Sequence, residues 1–302
     1  MKKNKFLFCI GLLLTVATIV NAQSVTWISS TEGNVWQKSK VKLQSKSEQN
    51  PVLQVDGTEN GVAFKNWGTT FNELCWDALG LLTRTEQDEI LYNIFSPQGD
   101  LRITRGRISM GANDYARSWY SCDEVEGDFE LRYFNINRDK QTIIPFIRAA
   151  QKYNPNLTFW ISPWCPPSWM KINGDYPVLS SPFNSLSEKQ NYLLYGATGG
   201  QVDENEMKLT GARDGVFPRQ LATTDFMIQD PRYLQTYADY FCRFIDAYKE
   251  QGIPIDMVMY QNEAYSYTPY PGCAWTATGT IRFNKEYLAP TLRQMHPEVK
   301  LY

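Results

Sequence analysis

Short apolar runs of strand length alternate along this chain with amphipathic stretches of helical period. The clearest strand is Ile255–Tyr260, where Ile255, Met257, Val258, Met259 and Tyr260 form the near-continuous apolar run of a strand buried on both faces. Gln261, Asn262 and Glu263 follow at its C-terminal end. The clearest helix comes just before it. Asp230 and Pro231 supply an N-cap and a first-turn proline, Leu234, Tyr237, Phe241, Ile245 and Tyr248 share one face, and Gly252 stops the helix. Upstream, Ala63–Gly68 reads as a weak first strand, Leu101–Ser109 as a second and Leu157–Ile161 as a third. Thr83–Phe95 is a predicted helix with Thr83 and Glu86 at capping-box spacing, and another runs from about Asp139 to Lys152. After Tyr260, Thr280–Met295 predicts a helix bent or restarted at Pro290, and Val299–Tyr302 begins a fifth strand.

Four strand–helix units and the start of a fifth make about half of a (βα)8 TIM barrel, whose full circuit takes about 250 residues. Residues 63–302 are assigned to that α/β half-barrel. A doubly wound open sheet is the alternative, but no glycine-rich dinucleotide fingerprint follows any strand. Residues 23–62 are β-rich, with β-branched stretches at Val25–Thr31 and Val41–Gln44 and turn signals at Asn50-Pro51 and Asp56-Gly57. They predict a small sheet beside the main domain. The polar excursion Pro163–Gln229 exceeds ordinary loop length and reads as part lid, part insertion. At the N-terminus, Lys2, Lys3 and Lys5 precede the apolar run Phe6–Val20, which reads as a signal peptide spanning residues 1–22 and cleaved after Ala22. The expectation is a secreted, periplasmic or cell-surface protein with no stable membrane span.

Composition narrows the chemistry. A chain of 302 residues with 43% hydrophobic residues, 21% charged residues and a net charge of -2 is globular, and it has no basic footprint for nucleic acid. Nine Trp and eighteen Tyr make either a large core or flat rings that stack on sugars. Cys75, Cys122, Cys165, Cys242 and Cys273 would survive cleavage; their spacing is not a metal pattern, and buried thiols, or one bridge plus free thiols, are expected. The single histidine, His296, lies far along a helix and is assigned a surface or helix-capping role. Without a second histidine, Ser-His-Asp or Cys-His catalysis and most zinc sites have nothing else to use. No phosphate loop is present and no cofactor or metal is expected. Carboxylates, arginines and tryptophans remain, the equipment of glycoside chemistry.

In a parallel barrel the loops at the C-terminal strand ends build the active face. There Glu263 can serve as general acid/base, with Asn262 bonding a substrate hydroxyl. In the loop after the second strand, Arg107 can orient a carboxylate and Asp114 can bond sugar hydroxyls; a structural ion pair is the alternative. The loop Ser162–Lys171 holds Pro163, Pro166 and Pro167, which fix Trp164 and Trp169 as a sugar platform, against the alternative that a ring packs inward as core.

The block Ser162-Pro163-Trp164-Cys165-Pro166-Pro167-Ser168-Trp169-Met170-Lys171, together with Asn262-Glu263, Arg107 to Asp114 and Tyr270 to Thr276, resembles glycoside hydrolase family 30, which includes β-glucosylceramidase and bacterial endo-β-1,6-glucanases. The resemblance implies that residues 23–62 belong to the family's side β-sandwich. It also implies that Glu263 is the acid/base, that Asn262 touches substrate, and that Arg107, Asp114 and Trp164 are substrate or glycone contacts. Two departures stand out. Ala264 replaces the family's usual proline after Asn-Glu, and the family's nucleophilic Glu, at the end of the seventh strand, has no counterpart. The chain is therefore expected to be the N-terminal part of a secreted retaining β-glycosidase acting on a glycan or β-glucoside, truncated before its nucleophile and inactive alone. The alternative is a non-catalytic sugar-binding or decayed fragment of such an enzyme.

Overall fold

The computed structural model describes residues 24–42, 66–186, 225–264 and 266–302. The expected leader at 1–22, the turns at 50–57 and most of the long excursion lie outside the described residues. The chain divides into two compact units, Met1–Ala63 and Phe64–Tyr302. In the first, β1 (Ser24–Thr31) and β2 (Asn34–Lys42) form an antiparallel hairpin that turns through Gly33, whose φ of 77° suits glycine.

The second unit carries a five-stranded parallel sheet of β3 (Gly68–Phe71), β4 (Arg105–Ser109), β5 (Thr158–Ser162), β6 (Ile255–Val258) and β7 (Lys300–Leu301). Each strand pairs with its neighbour in chain order. A doubly wound sheet reverses its strand order at a switch point, and none occurs among the described strands, so their winding is that of a barrel. Between the strands stand α1 (Glu73–Gly80), α2 (Arg84–Phe95), α3 (Ile143–Gln151) and α4 (Pro231–Glu250). Thr83 caps α2 through a complete capping box, and Asp230 caps α4 by accepting from the Arg232 N–H at 2.8 Å. Leu234, Tyr237, Phe241, Ile245 and Tyr248 of α4 are all buried.

The strands are not buried equally on their two faces. Along β4 and β5, Gly106, Ile108, Phe159 and Ile161 are buried, while Arg105, Arg107, Thr158 and Trp160 are only half-buried. The apolar face of each strand thus packs in the core, and its other face carries polar and charged side chains. β6 follows suit: Ile255 and Val258 are buried, but Asp256 and Met257 are half-buried, which corrects the expectation of burial on both faces. Arg105 and Asp256 pair on the polar face, across β5. On the core face Gly106 is required by space, since a Cβ there would lie 2.5 Å from the Phe71 ring and 2.9 Å from that of Phe159.

Several boundaries move. The first strand begins at Gly68, where the sequence places its end, and Thr69, Thr70 and Phe71 carry its pairing with β4. The second strand starts at Arg105 rather than Leu101, because the Leu101 and Ile103 N–H groups donate to Asn93 and Ile94 carbonyls at the end of α2. Helix α1, capped by Asn72, was not foreseen. The helix expected from about Asp139 breaks at Thr142 into a 3-10 turn, Asp139–Gln141, and α3. The last helix starts earlier, at Ala277, and Phe283–Leu288 is π-helical, so a widened turn precedes Pro290. His296 is buried, not on the surface, and ends that helix by donating its N–H to the Leu292 carbonyl. Among the described residues no helix is long and apolar enough to cross a membrane.

Candidate active site

The site grows from the polar face of β4. Strand alternation puts Arg107 on the same face as Trp160, its register partner on β5. Its guanidinium donates to Ser162 Oγ from Nε at 3.0 Å and from Nη2 at 2.7 Å, and Nη2 also donates to Asn262 Oδ1 at 2.7 Å. The same cation stacks over two rings, 4.1 Å from the Trp164 centroid and 5.0 Å from that of Trp160. One side chain therefore ties together the ends of β4, β5 and β6. Burial pulls the Arg107 pKa below the ordinary arginine value, opposed by the Asp114 and Glu263 carboxylates. Tyr270 feels the same two carboxylates: burial first, then Glu263 and Asp114, push its hydroxyl pKa up. Arg107, Asp114, Glu263 and Tyr270 thus share one electrostatic neighbourhood.

The loop after β6 is held from both sides. The Asn262 N–H donates to the Pro163 carbonyl at 2.8 Å. The Gln261 amide donates to the Trp164 carbonyl at 2.6 Å and accepts from the Trp275 indole N–H at 3.2 Å. Glu263 then adopts φ of 50°, the left-handed region that a side chain with a Cβ enters at a cost, and its carbonyl accepts from the Ser266 N–H at 2.9 Å. That conformation reverses the chain just past the strand. Glu263, Asn262 and Trp164 line one cleft with Thr268, Tyr270 and Gly272.

Of the residues named from sequence, Arg107, Asn262, Glu263 and Trp164 come together, and Asp114 lies within electrostatic reach. Trp164 is 8% exposed, so it offers an edge to the cleft while its face lies against Arg107. Trp169 is corrected. It is 9% exposed, its indole N–H donates to the Asp123 carbonyl at 3.0 Å, and its ring packs on Phe129 and Tyr233. It packs in the core, as the alternative reading of this loop expects. Ser162, the Gln261 side chain and Tyr270 are site residues that the pattern did not single out. For Ser162 a signal was available, because it follows Trp160 by two on the face that carries Arg107. The five cysteines are all unpaired thiols, Cys75 exposed and the others buried, and burial pushes the Cys165 thiol up to about 11.

Residues 64–181 match the glycosyl hydrolase family 30 TIM-barrel domain. A Caenorhabditis elegans protein named "Putative glucosylceramidase 3" is 27% identical over 294 residues, covering 92% of this chain and 47% of its own length. The endo-1,6-beta-D-glucanase neg1 of Aspergillus fumigatus is 25% identical over 252 residues, covering 82% of this chain and 45% of its own length. Among solved structures, an endo-beta1,6-glucanase superposes with a TM-score of 0.58 at 22% identity, over 80% of this chain and 44% of the other. SrfJ from Salmonella typhimurium gives a TM-score of 0.62 at 19% identity, over 91% of this chain and 52% of the other, a likeness of fold. The chain spans less than half the length of the curated relatives it matches. The chain is thus similar, over residues 64–181, to the TIM-barrel domain of glycosyl hydrolase family 30, and its parallel sheet is that of a partial (βα)8 barrel.

Proposed function

We propose that this chain supplies the acid/base of an exported retaining β-glycosidase that cleaves β-glucosidic bonds, with β-1,6-glucan as the leading substrate. Glu263 is the acid/base and Asn262 the contact to a sugar hydroxyl. Arg107 is the residue that orients Asn262, and the mechanism needs a second carboxylate as nucleophile. The observation that carries this reading is the bonded set Arg107–Ser162–Asn262 beside Glu263 in one cleft at the C-terminal strand ends. Such a set fixes an amide side chain without using up its N–H donors, which stay free for substrate. Retention requires two carboxyls about 5–5.5 Å apart, one protonating the leaving oxygen and one attacking the anomeric carbon. The naming of relatives as glucosylceramidases and endo-1,6-β-glucanases supports a β-glucoside as the bond cleaved. The test is proton NMR of the first-formed product from β-1,6-glucan with the complete parent enzyme. A β-anomer is expected; an α-anomer excludes the mechanism.

A further inference from the structure

Two loops at the rim of the cleft end in aromatic rings that the chemistry above does not use. Trp119 follows β4, in the same loop as Asp114, and Tyr176 follows β5. Their ring centroids are 6.3 Å apart with planes inclined at 52°, so the rings form an open corner rather than a closed stack. Both side chains are half-buried.

The backbone beneath each ring is clamped. On the Tyr176 side the Lys171 side chain is only 2% exposed, and its ammonium donates to the carbonyls of Asp175 at 2.6 Å, Tyr176 at 2.7 Å and Pro177 at 3.0 Å. All three donors of a buried cation are thus spent on one turn of loop. The Tyr176 carbonyl also accepts from the N–H of Gly272, a cleft residue, at 3.0 Å. On the Trp119 side Arg138 donates to the Ser118 carbonyl at 2.9 Å and to Ser118 Oγ at 2.8 Å. The Tyr120 carbonyl accepts from the Ala112 N–H at 2.8 Å. Residues before and after Trp119 are fixed, yet its indole N–H makes no hydrogen bond among the described residues. Glu124, exposed beside this corner, accepts from the Ser168 N–H and hydroxyl at 3.0 and 2.6 Å.

A rigid, half-exposed pair of rings, with an N–H donor unpartnered among the described residues and a fixed carboxylate nearby, matches the surface of a sugar ring. Sugar C–H groups lie on the ring faces and hydroxyls reach the polar groups at the edge. We propose that Trp119 and Tyr176 form a second sugar-stacking subsite beside the Glu263 cleft, so that the site takes a β-linked gluco-oligosaccharide rather than a single glucosyl unit. This inference rests on the glycosidase reading above.

The test is titration calorimetry of the protein with methyl β-glucoside and, separately, with a β-1,6-linked glucose tetrasaccharide. Trp119→Ala is expected to weaken the tetrasaccharide about five- to tenfold and to leave the monosaccharide glucoside unchanged. Trp119→Phe, which keeps a ring, should recover most of the loss and covers the case in which the alanine variant does not fold. Tyr176→Leu should act like Trp119→Ala. Unchanged tetrasaccharide affinity in these variants, or equal losses for both ligands, overturns the subsite and leaves the glycosidase reading standing. Absence of binding of either ligand to the unsubstituted protein overturns both.

Discussion

Arg107 on β4 and Asn262 beyond β6 are joined by a 2.7 Å hydrogen bond that reaches across β5, the strand between them. Asn262 Oδ1 is taken by the guanidinium, so its orientation is settled before any substrate arrives. Because the same guanidinium also donates to Ser162 and stacks on Trp164, lysine cannot replace it: an ammonium is a point donor without a flat face. Arg107→Lys is expected to lower the unfolding free energy by about 1–3 kcal/mol and to cut turnover in the complete enzyme by more than about tenfold. Urea denaturation read by tryptophan fluorescence, with steady-state kinetics, checks both.

Gln261 works one step further out. Its amide spans the Trp164 carbonyl and the Trp275 indole N–H, both inside the protein, so removing it strands two buried polar groups. Gln261→Leu is expected to cost about 1–3 kcal/mol. Gln261→Glu should cost at least as much, because a carboxylate accepts from Trp275 but repels the Trp164 carbonyl. Thermal melts at matched pH measure these losses; a variant that melts with the unsubstituted protein contradicts the assignment.

Stability should fall as pH rises across the mildly acidic range. Asp139 is fully buried, and burial pushes its carboxyl up to about 6 even though the Tyr120 and Tyr248 hydroxyls, each 2.6 Å away, bond it and pull the other way. Glu73 and Arg138 are the charged neighbours. A carboxyl whose folded pKa is raised contributes stability that is complete below its unfolded value of about 3.9 and is lost as pH climbs through the folded value. Two pKa units correspond to about 3 kcal/mol. Glu73 has the opposite sign: burial pushes it up, but bonds from Arg138 and the Arg117 N–H hold it below the ordinary range, so its contribution is lost on acidification. Asp139→Asn should flatten the decline between about pH 4 and about pH 6. Denaturation midpoints at half-unit pH steps decide it, and an unchanged slope in the variant removes Asp139 as the cause.

Much of this is legible in the sequence. The apolar stripe of α4 and the capping boundaries survive because they rest on local spacing that tertiary contacts reinforce. The strand ends were misplaced where main-chain groups found partners outside the sheet, as Leu101 and Ile103 do on α2. Arg107, Asn262 and Glu263 could be chosen because polar residues at strand ends are few. Trp169 could not be told from Trp164 by sequence: both stand in the same proline-fixed loop, and only the contact with Phe129 and Tyr233 marks one as core. The role of Gln261 was hidden for the same reason, since its partners come from Trp164 and Trp275, on separate loops.

The most direct measurement concerns Glu263 itself. In the complete parent enzyme, Glu263→Gln removes proton transfer while keeping the size and hydrogen-bonding reach of the side chain. Aryl β-glucosides with good leaving groups need little protonation, so their glycosylation rates should fall far less than those of poor leaving groups or of the natural glycan. A steep dependence of rate on leaving-group pKa in the variant, absent from the unsubstituted enzyme, is the expected result. An unchanged rate on glycan, or an equal loss across the whole leaving-group series, would contradict the assignment of Glu263 as the acid/base.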